Sequence, residues 1–211
     1  MSLIRYTLVS EGSSDQALVP ILTWTLRQHL GLCPIKPLWA DLRRLPQPPS
    51  TLSDRVRKAL ELYPCDVLFI HRDADNQPRD VRWREIQEAT FAAQVEERRS
   101  IPVIPVRMTE AWLLIDTQAI RKAAGNPNGT EVLDMPRPTT LEDIANPKER
   151  LRVILQTATG QSGRRLKRFN VDAAIRRISE FISDFSVLRK LPAFIQLEKD
   201  IRDWCARLEG S

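Results

Sequence analysis

Histidine is nearly absent from this chain: two residues, His29 and His71, in 211. That excludes a His-rich metal site and leaves catalytic work to carboxylates, lysines or hydroxyls. Cysteine is scarce too. Cys33, Cys65 and Cys205 are odd in number, far apart and without C-x-x-C spacing, so neither a disulfide framework nor a zinc site is expected, and burial is their expected role. No run approaches the ~20 apolar residues of a membrane span, and the opening MSLIRYTLVSEG lacks the apolar core of a signal peptide, so a cytoplasmic location is expected. There is also no internal repeat and no low-complexity tract.

What is present suits one domain with a helical appendage, since the chain is 42% hydrophobic and 28% charged and two full domains would be crowded. The charge balance is 32 Lys plus Arg against 27 Asp plus Glu, a formal +5. A polyanionic partner is compatible with that excess but not compelled by it. Strand-like segments at Ile4 to Val9, Ile35 to Trp39, Asp66 to His71 and Ile101 to Val106 alternate with helical periodicities. The helices begin at Leu18 (with Ser13 or Ser14 as N-cap and Gly31 as stop), at Leu52 and at Val81, the last running to about Arg98. Unbroken apolar character in Val67-Leu68-Phe69-Ile70 marks a strand covered on both faces. The alternation predicts an α/β layered fold with a mainly parallel sheet. A further helix is expected from Glu110 to Ala124, and beyond a Pro- and Asn-containing loop only helical periodicity remains from Lys148 to Arg207. The expected division is an α/β domain over residues 1–125 and a loop with a helical extension over 126–211, packed on the α/β body.

In an open parallel sheet, ligands gather outside the carboxyl ends of the strands. Three carboxylate clusters fall there: Glu11 with Asp15, Asp73 with Asp75, and Glu110 with Asp116 beyond it. If the strands are neighbours, at about 4.8 Å per step, several of these groups lie within a few ångströms of one another, and like charges so close oppose folding unless a cation joins them. Oxygen donors without Cys or His favour Mg²⁺ or Mn²⁺ over Zn²⁺. Each cluster also has a plain reading. Asp-x-Asp forms solvated turns, the Glu11 to Asp15 stretch suits a helix cap near the positive end of a dipole, and Glu110 suits a cap of its own helix. Asp116 stands better as an N-cap after a helix break than as a ligand. The order of candidates is therefore Glu11, Asp73 and Asp75 first, then Glu110, then Asp15, then Asp116.

Glu11-Gly12 at the end of the first strand and Asp73-Ala74-Asp75 at the end of a later apolar strand resemble the TOPRIM fold, the α/β domain of topoisomerases, bacterial primases and overcoming-lysogenization-defect (OLD) nucleases. Three longer stretches resemble a family of small stand-alone bacterial TOPRIM-like proteins related to the OLD nucleases: Val9 to Asp15, Phe69 to Asp75 and Pro105 to Asp116. Asn146-Pro147-Lys148 and the Phe194 region are similar to that family as well. Its first motif often ends in Glu where this chain has Asp15, a shorter arm that reaches a metal through water.

The resemblance implies a metal-dependent nuclease that hydrolyses phosphodiester bonds of nucleic acid, DNA in the first place, and a role beside a partner ATPase in phage defence. It casts Asp73 and Asp75 as metal ligands, Glu11 as ligand or general base, and Glu110 as completing the site, with two ions about 4 Å apart. A topoisomerase needs a nucleophilic tyrosine, and Tyr6 and Tyr63 both fall in stretches that read as buried, which argues against strand passage. A primase needs modules for which the chain has no room. Arg164, Arg165, Lys167 and Arg168, with Arg176 and Arg177, and Arg72, Arg79, Arg82 and Arg84 after the acidic loop, suit a phosphate backbone. Each arginine reads equally well as part of a solvated face. Trp83 suits base stacking, or packing in the core. Two alternatives stay open: an Asp-x-Asp, Mn²⁺-dependent glycosyltransferase, and a non-catalytic regulatory subunit whose tail docks an ATPase. DNA against RNA, endo- against exonuclease action and oligomeric state, a homodimer included, are open too.

Overall fold

The first four strands of the sequence align side by side: β1 (Ile4–Val9), β2 (Ile35–Trp39), β3 (Val67–His71) and β4 (Ser100–Val103) form one parallel sheet in the order β2-β1-β3-β4. The structure is a computed structural model and describes residues 3–75, 77–96 and 99–209, Glu209 by its backbone only. Helices cover both faces, an α/β architecture consistent with a Rossmann-like fold.

Strand parity decides which face each residue serves, because successive side chains point to opposite sides. Tyr6, Leu8, Val67 and Phe69 enter one core. Over it lie α1 (Leu18–Leu30), α4 (Thr117–Ala123), α5 (Pro147–Ala158), α7 (Val171–Phe181) and α8 (Pro192–Glu209). Val9, Leu68 and Ile70 enter a second core under α2 (Leu52–Leu62) and α3 (Arg79–Ala92). The periodic residues of the tail, Leu151, Ile154, Ile175, Ile178, Phe194, Leu197, Ile201 and Trp204, are buried in the first core. Each contributes about 1.5–3 kcal/mol by leaving water. Trp112 meets Phe194 edge to face with centroids 5.6 Å apart, which ties the segment after β4 to α8. Short α6 (Gly163–Lys167) stands exposed between α5 and α7. All three cysteines are buried and none is in a disulfide. Tyr6 is fully buried, its hydroxyl donating to the Val19 carbonyl at 2.8 Å, and Tyr63 is half-buried. Among the described residues no helix is long and apolar enough to cross a membrane.

Several element boundaries differ from the sequence expectation for local reasons. β4 stops at Val103 rather than Val106, in a stretch where Pro102 and Pro105 have no N–H to give a ladder. The expected Glu110–Ala124 helix is two pieces, a 3-10 turn over Thr109–Leu113 and then α4. Asp116 caps the second, its carboxylate accepting from Gln118 N–H at 2.8 Å and Ala119 N–H at 3.0 Å. Neither Ser13 nor Ser14 caps α1. A 3-10 turn over Ser14–Ala17 intervenes, and the α1 N-cap, Ala17, has no side-chain bond to offer. Gly31 closes α1 at φ 57°, as expected. α3 ends at Ala92 because Gln94 turns left-handed (φ 57°) and Val95 N–H returns to the Thr90 carbonyl at 2.9 Å. The expected end near Arg98 lies outside the described residues.

Candidate functional site

The carboxyl ends of β1 and β3 carry the acidic motifs, and their register sorts those motifs onto two faces. Val9 pairs with Ile70, and both side chains enter the α2/α3 core. Two residues on, Glu11 and Arg72 keep that parity and form an ion pair. His71 follows Phe69 on the other face, and Asp73 and Asp15 lie against it.

On the α2/α3 side, charges alternate along a chain of ion pairs. Arg55 stands 3.9 Å from Glu11, Glu11 binds Arg72, and Arg72 reaches Glu85 at 2.8 Å. Arg82 then links Glu85 and Asp75, each at 3.1 Å, and donates to the Asp73 carbonyl at 3.0 Å. The Asp73–Asp75 turn is braced from behind: Ala74 N–H donates to the Pro105 carbonyl at 3.0 Å and Asp75 N–H to that of Arg107 at 2.9 Å. Asp75 sits at φ 53°, a left-handed position that Asp tolerates better than most residues. Glu11 is 46% exposed, so its pairs are individually weak.

The other face is drier. His71, 1% exposed, lies between Asp15 and Asp73, with Nε2 at 3.1 Å from Asp73 Oδ1 and Nδ1 at 3.4 Å from Asp15 Oδ2. Burial alone would strip the ring of its proton, but the two carboxylates outweigh it and raise the pKa to about 10. The ring is therefore an imidazolium at neutral pH. Asp15 shows the reciprocal effect: burial opposes its charge, yet His71 and the Gly12 N–H, 2.7 Å away, hold its pKa below the ordinary value. Thr109 completes the group. Its N–H donates to Asp73 Oδ1 at 3.0 Å, which caps the 3-10 turn, and its hydroxyl lies 3.0 Å from His71 Nε2.

Glu110 follows directly and is 4% exposed. Burial is the first cause of its raised pKa, and the charges of Asp73 and Asp15 push it further up, while Lys148 pulls it down. Asp15, Asp73 and Glu110 thus share one field. Of the three, Glu110 lines a cleft of about 210 Å³, together with Ser13, Ser14, Lys148, Asp172 and Arg176. Lys148 enters from the first turn of α5, where Asn146 caps the helix by accepting from Glu149 N–H at 3.1 Å. Arg164, Arg165, Lys167 and Arg168 on and beside α6 are exposed and make no ion pair among the described residues. Arg72, by contrast, is spent on Glu11 and Glu85.

Of the residues expected from sequence, the structure brings Asp15, Asp73 and Glu110 together and sets Glu11 and Asp75 on the opposite face, each with an arginine. His71, Thr109, Lys148 and Arg176 belong to the site's surroundings, and sequence reasoning did not assign the first three to it. The signal for His71 was its parity with Asp73 at the end of a fully buried strand. The oxygen donors suit a hard divalent cation, and the charges of Asp73 and Asp15, which add to burial in raising the Glu110 pKa, are what such an ion would relieve. Among the described residues, no group of three or more His, Cys, Asp or Glu side chains already stands at metal-holding spacing. Comparison with protein-family models, curated proteins and solved structures found no match for this chain.

Proposed function

We propose that the protein is a metal-dependent phosphodiesterase of TOPRIM-like fold that hydrolyses nucleic acid, DNA in the first place. The observation that carries this reading is that three buried or half-buried carboxylates at the carboxyl edge of a parallel sheet, Asp15, Asp73 and Glu110, interact electrostatically, and that Glu110 lines a cleft with Lys148 and Arg176. These carboxylates would hold Mg²⁺ or Mn²⁺. Glu11 and Asp75 would be able to join that set if Arg72 and Arg82 turned from them to substrate phosphates. A bound cation supplies a water of lowered pKa and charge stabilisation for the leaving oxygen. The chain's own groups do the rest: Lys148 and Arg176 hold the phosphate, Thr109 and His71 fix the orientation of Asp73, and the α6 cations guide the strand.

Incubation of supercoiled plasmid with the protein and Mg²⁺ or Mn²⁺ tests this. Nicking that EDTA and Asp73→Ala both abolish supports the reading; equal nicking by wild type and variant refutes it. A second reading, a regulatory subunit beside an ATPase, is favoured by the imidazolium already seated between Asp15 and Asp73. Cation binding without cleavage would select it.

A further inference from the structure

A second cleft, of about 350 Å³, runs along the open edge of β4 between α3 and α8. Its floor is Ser100 to Pro102, one wall presents Trp83 and Gln87, and the other presents Asp200 and Asp203. Trp83 belongs to neither hydrophobic core and is 41% exposed, so packing does not account for an indole at this place. Gln87 is one helical turn further along α3, and its side-chain amide has no hydrogen-bond partner among the described residues. Across the cleft, the Asp200 carboxylate is steadied by Gln196 Nε2 at 2.8 Å and stands 3.7 Å from Arg79. Those contacts leave acceptor capacity on its oxygens.

We propose that this cleft binds an amino-bearing nucleobase, adenine above the others. A flat aromatic ring is what an open indole face holds best, because stacking is available to every base. A side-chain amide pairs with both the amino group and the ring nitrogen of adenine, and a carboxylate accepts from an exocyclic amino group. Gln87 presents the first beside Trp83 on α3, and Asp200 presents the second from the facing wall on α8. The volume falls in the range of small-ligand pockets, at the size of a base with its sugar. Addition of a peptide strand to the β4 edge is disfavoured, since Pro102 interrupts the ladder there. The cleft communicates with the carboxylate rim through the first turns of α3: Arg79 meets Asp200, and Arg82, beside Trp83, holds Asp75 and the Asp73 carbonyl. The base comes either from a free nucleotide or from a nucleic-acid strand; the chemistry of recognition is the same.

The test is binding in EDTA, so cleavage plays no part and the phosphodiesterase reading stands or falls separately. The full chain is labelled with 5-fluorotryptophan, and the Trp83 resonance is assigned with Trp83→Phe. AMP, UMP, ribose 5-phosphate, and short oligo-dA, oligo-dT and abasic strands are then titrated. Adenine-bearing probes should shift the Trp83 signal to saturation, with UMP and oligo-dT about tenfold weaker or worse and ribose 5-phosphate and the abasic strand without effect on it. Trp83→Ala should weaken binding about tenfold by calorimetry, and Gln87→Ala should abolish the preference for adenine. Saturation by AMP as readily as by oligo-dA identifies a nucleotide site; saturation by oligo-dA alone identifies a strand-binding site. No shift with any adenine-bearing probe, an equal shift with ribose 5-phosphate, or equal affinity for oligo-dA and oligo-dT overturns the proposal.

Discussion

Replacing His71 by Gln removes the one cation buried between Asp15 and Asp73 while keeping a side chain of similar reach. In the folded protein the ring keeps its proton to about pH 10, against an ordinary value of 6.5. A folded pKa above the unfolded one contributes stability that is fully present below pH 6.5 and is lost as pH rises through the folded value. At 1.36 kcal/mol per pH unit, the interval from 6.5 to about 10 couples up to about 5 kcal/mol. Urea unfolding of the metal-free protein should therefore show stability falling by about 1.4 kcal/mol per pH unit between pH 7 and pH 9. His71→Gln should start about 3–5 kcal/mol lower, because it leaves buried carboxylates unpaired, and should lack most of that slope. Cys65 and Tyr6 also have pKa values raised by burial, but they act alike in both proteins, so the difference between the profiles isolates His71. Should the variant fold poorly, NMR of the wild type suffices: with two histidines in the chain, one set of ring signals must stay protonated through neutrality and titrate near 10. A His71 ring that titrates near 6.5, or parallel stability profiles, would refute the buried imidazolium.

Three further outcomes are expected. Millimolar Mg²⁺ should raise the Tm at neutral pH, by about 2.7 kcal/mol of stabilisation at a hundredfold excess over Kd, and Asp73→Asn should blunt the gain; an unmoved wild-type Tm in calorimetry counts against the cation site. Asp116→Ala removes the acceptor for two N–H groups at the start of α4 and should cost about 1 kcal/mol in denaturant unfolding, with Asp116→Asn nearly neutral. Gly31→Ala meets no atom within 4 Å, so its cost is conformational alone; at φ 57° and ψ −125° it should lower stability by about 1–3 kcal/mol, and an unchanged urea midpoint would contradict that backbone assignment.

The layered α/β order was legible because β3 carries an unbroken apolar run and the helices between strands keep a clear period. β1, β2, α1, α2 and the buried tail residues are where the pattern puts them. The breaks were harder, since they depend on single residues: Asp116 ends one helical pattern and opens another, and Gln94 stops α3 without a glycine or proline to announce it. Collecting the acidic residues at the carboxyl edge follows from the parallel sheet, but edge placement says nothing of face. Parity does, and it was available in the sequence: Glu11 shares the parity of Val9, and Arg72 that of Ile70. Once Val9 pairs with Ile70, the Glu11–Arg72 pair follows, and Asp73 goes to the opposite side with His71. What the sequence withheld was the register between β1 and β3, which long-range packing sets.

That division of charge between faces decides where a cation gains most. On the α2/α3 side, Arg55, Arg72 and Arg82 alternate with Glu11, Glu85 and Asp75, so the charges balance and an added cation would compete with three guanidinium groups. On the other side, Asp15, Asp73 and Glu110 face the His71 imidazolium and Lys148. Glu110 is buried there, and its pKa is raised by burial first and then by the charges of Asp73 and Asp15, which a nearby cation relieves. In the absence of nucleic acid a divalent ion should therefore settle with Glu110 rather than with Glu11. Glu110→Gln should weaken Mg²⁺ binding by tenfold or more, about 1.4 kcal/mol, whereas Glu11→Gln should change it by less than about threefold, because that carboxylate is exposed and already paired. Isothermal calorimetry on the two variants reads the order directly. The reverse order would move the ion to the arginine face and make the Glu11–Arg72 pair, not the histidine sandwich, the centre of the site.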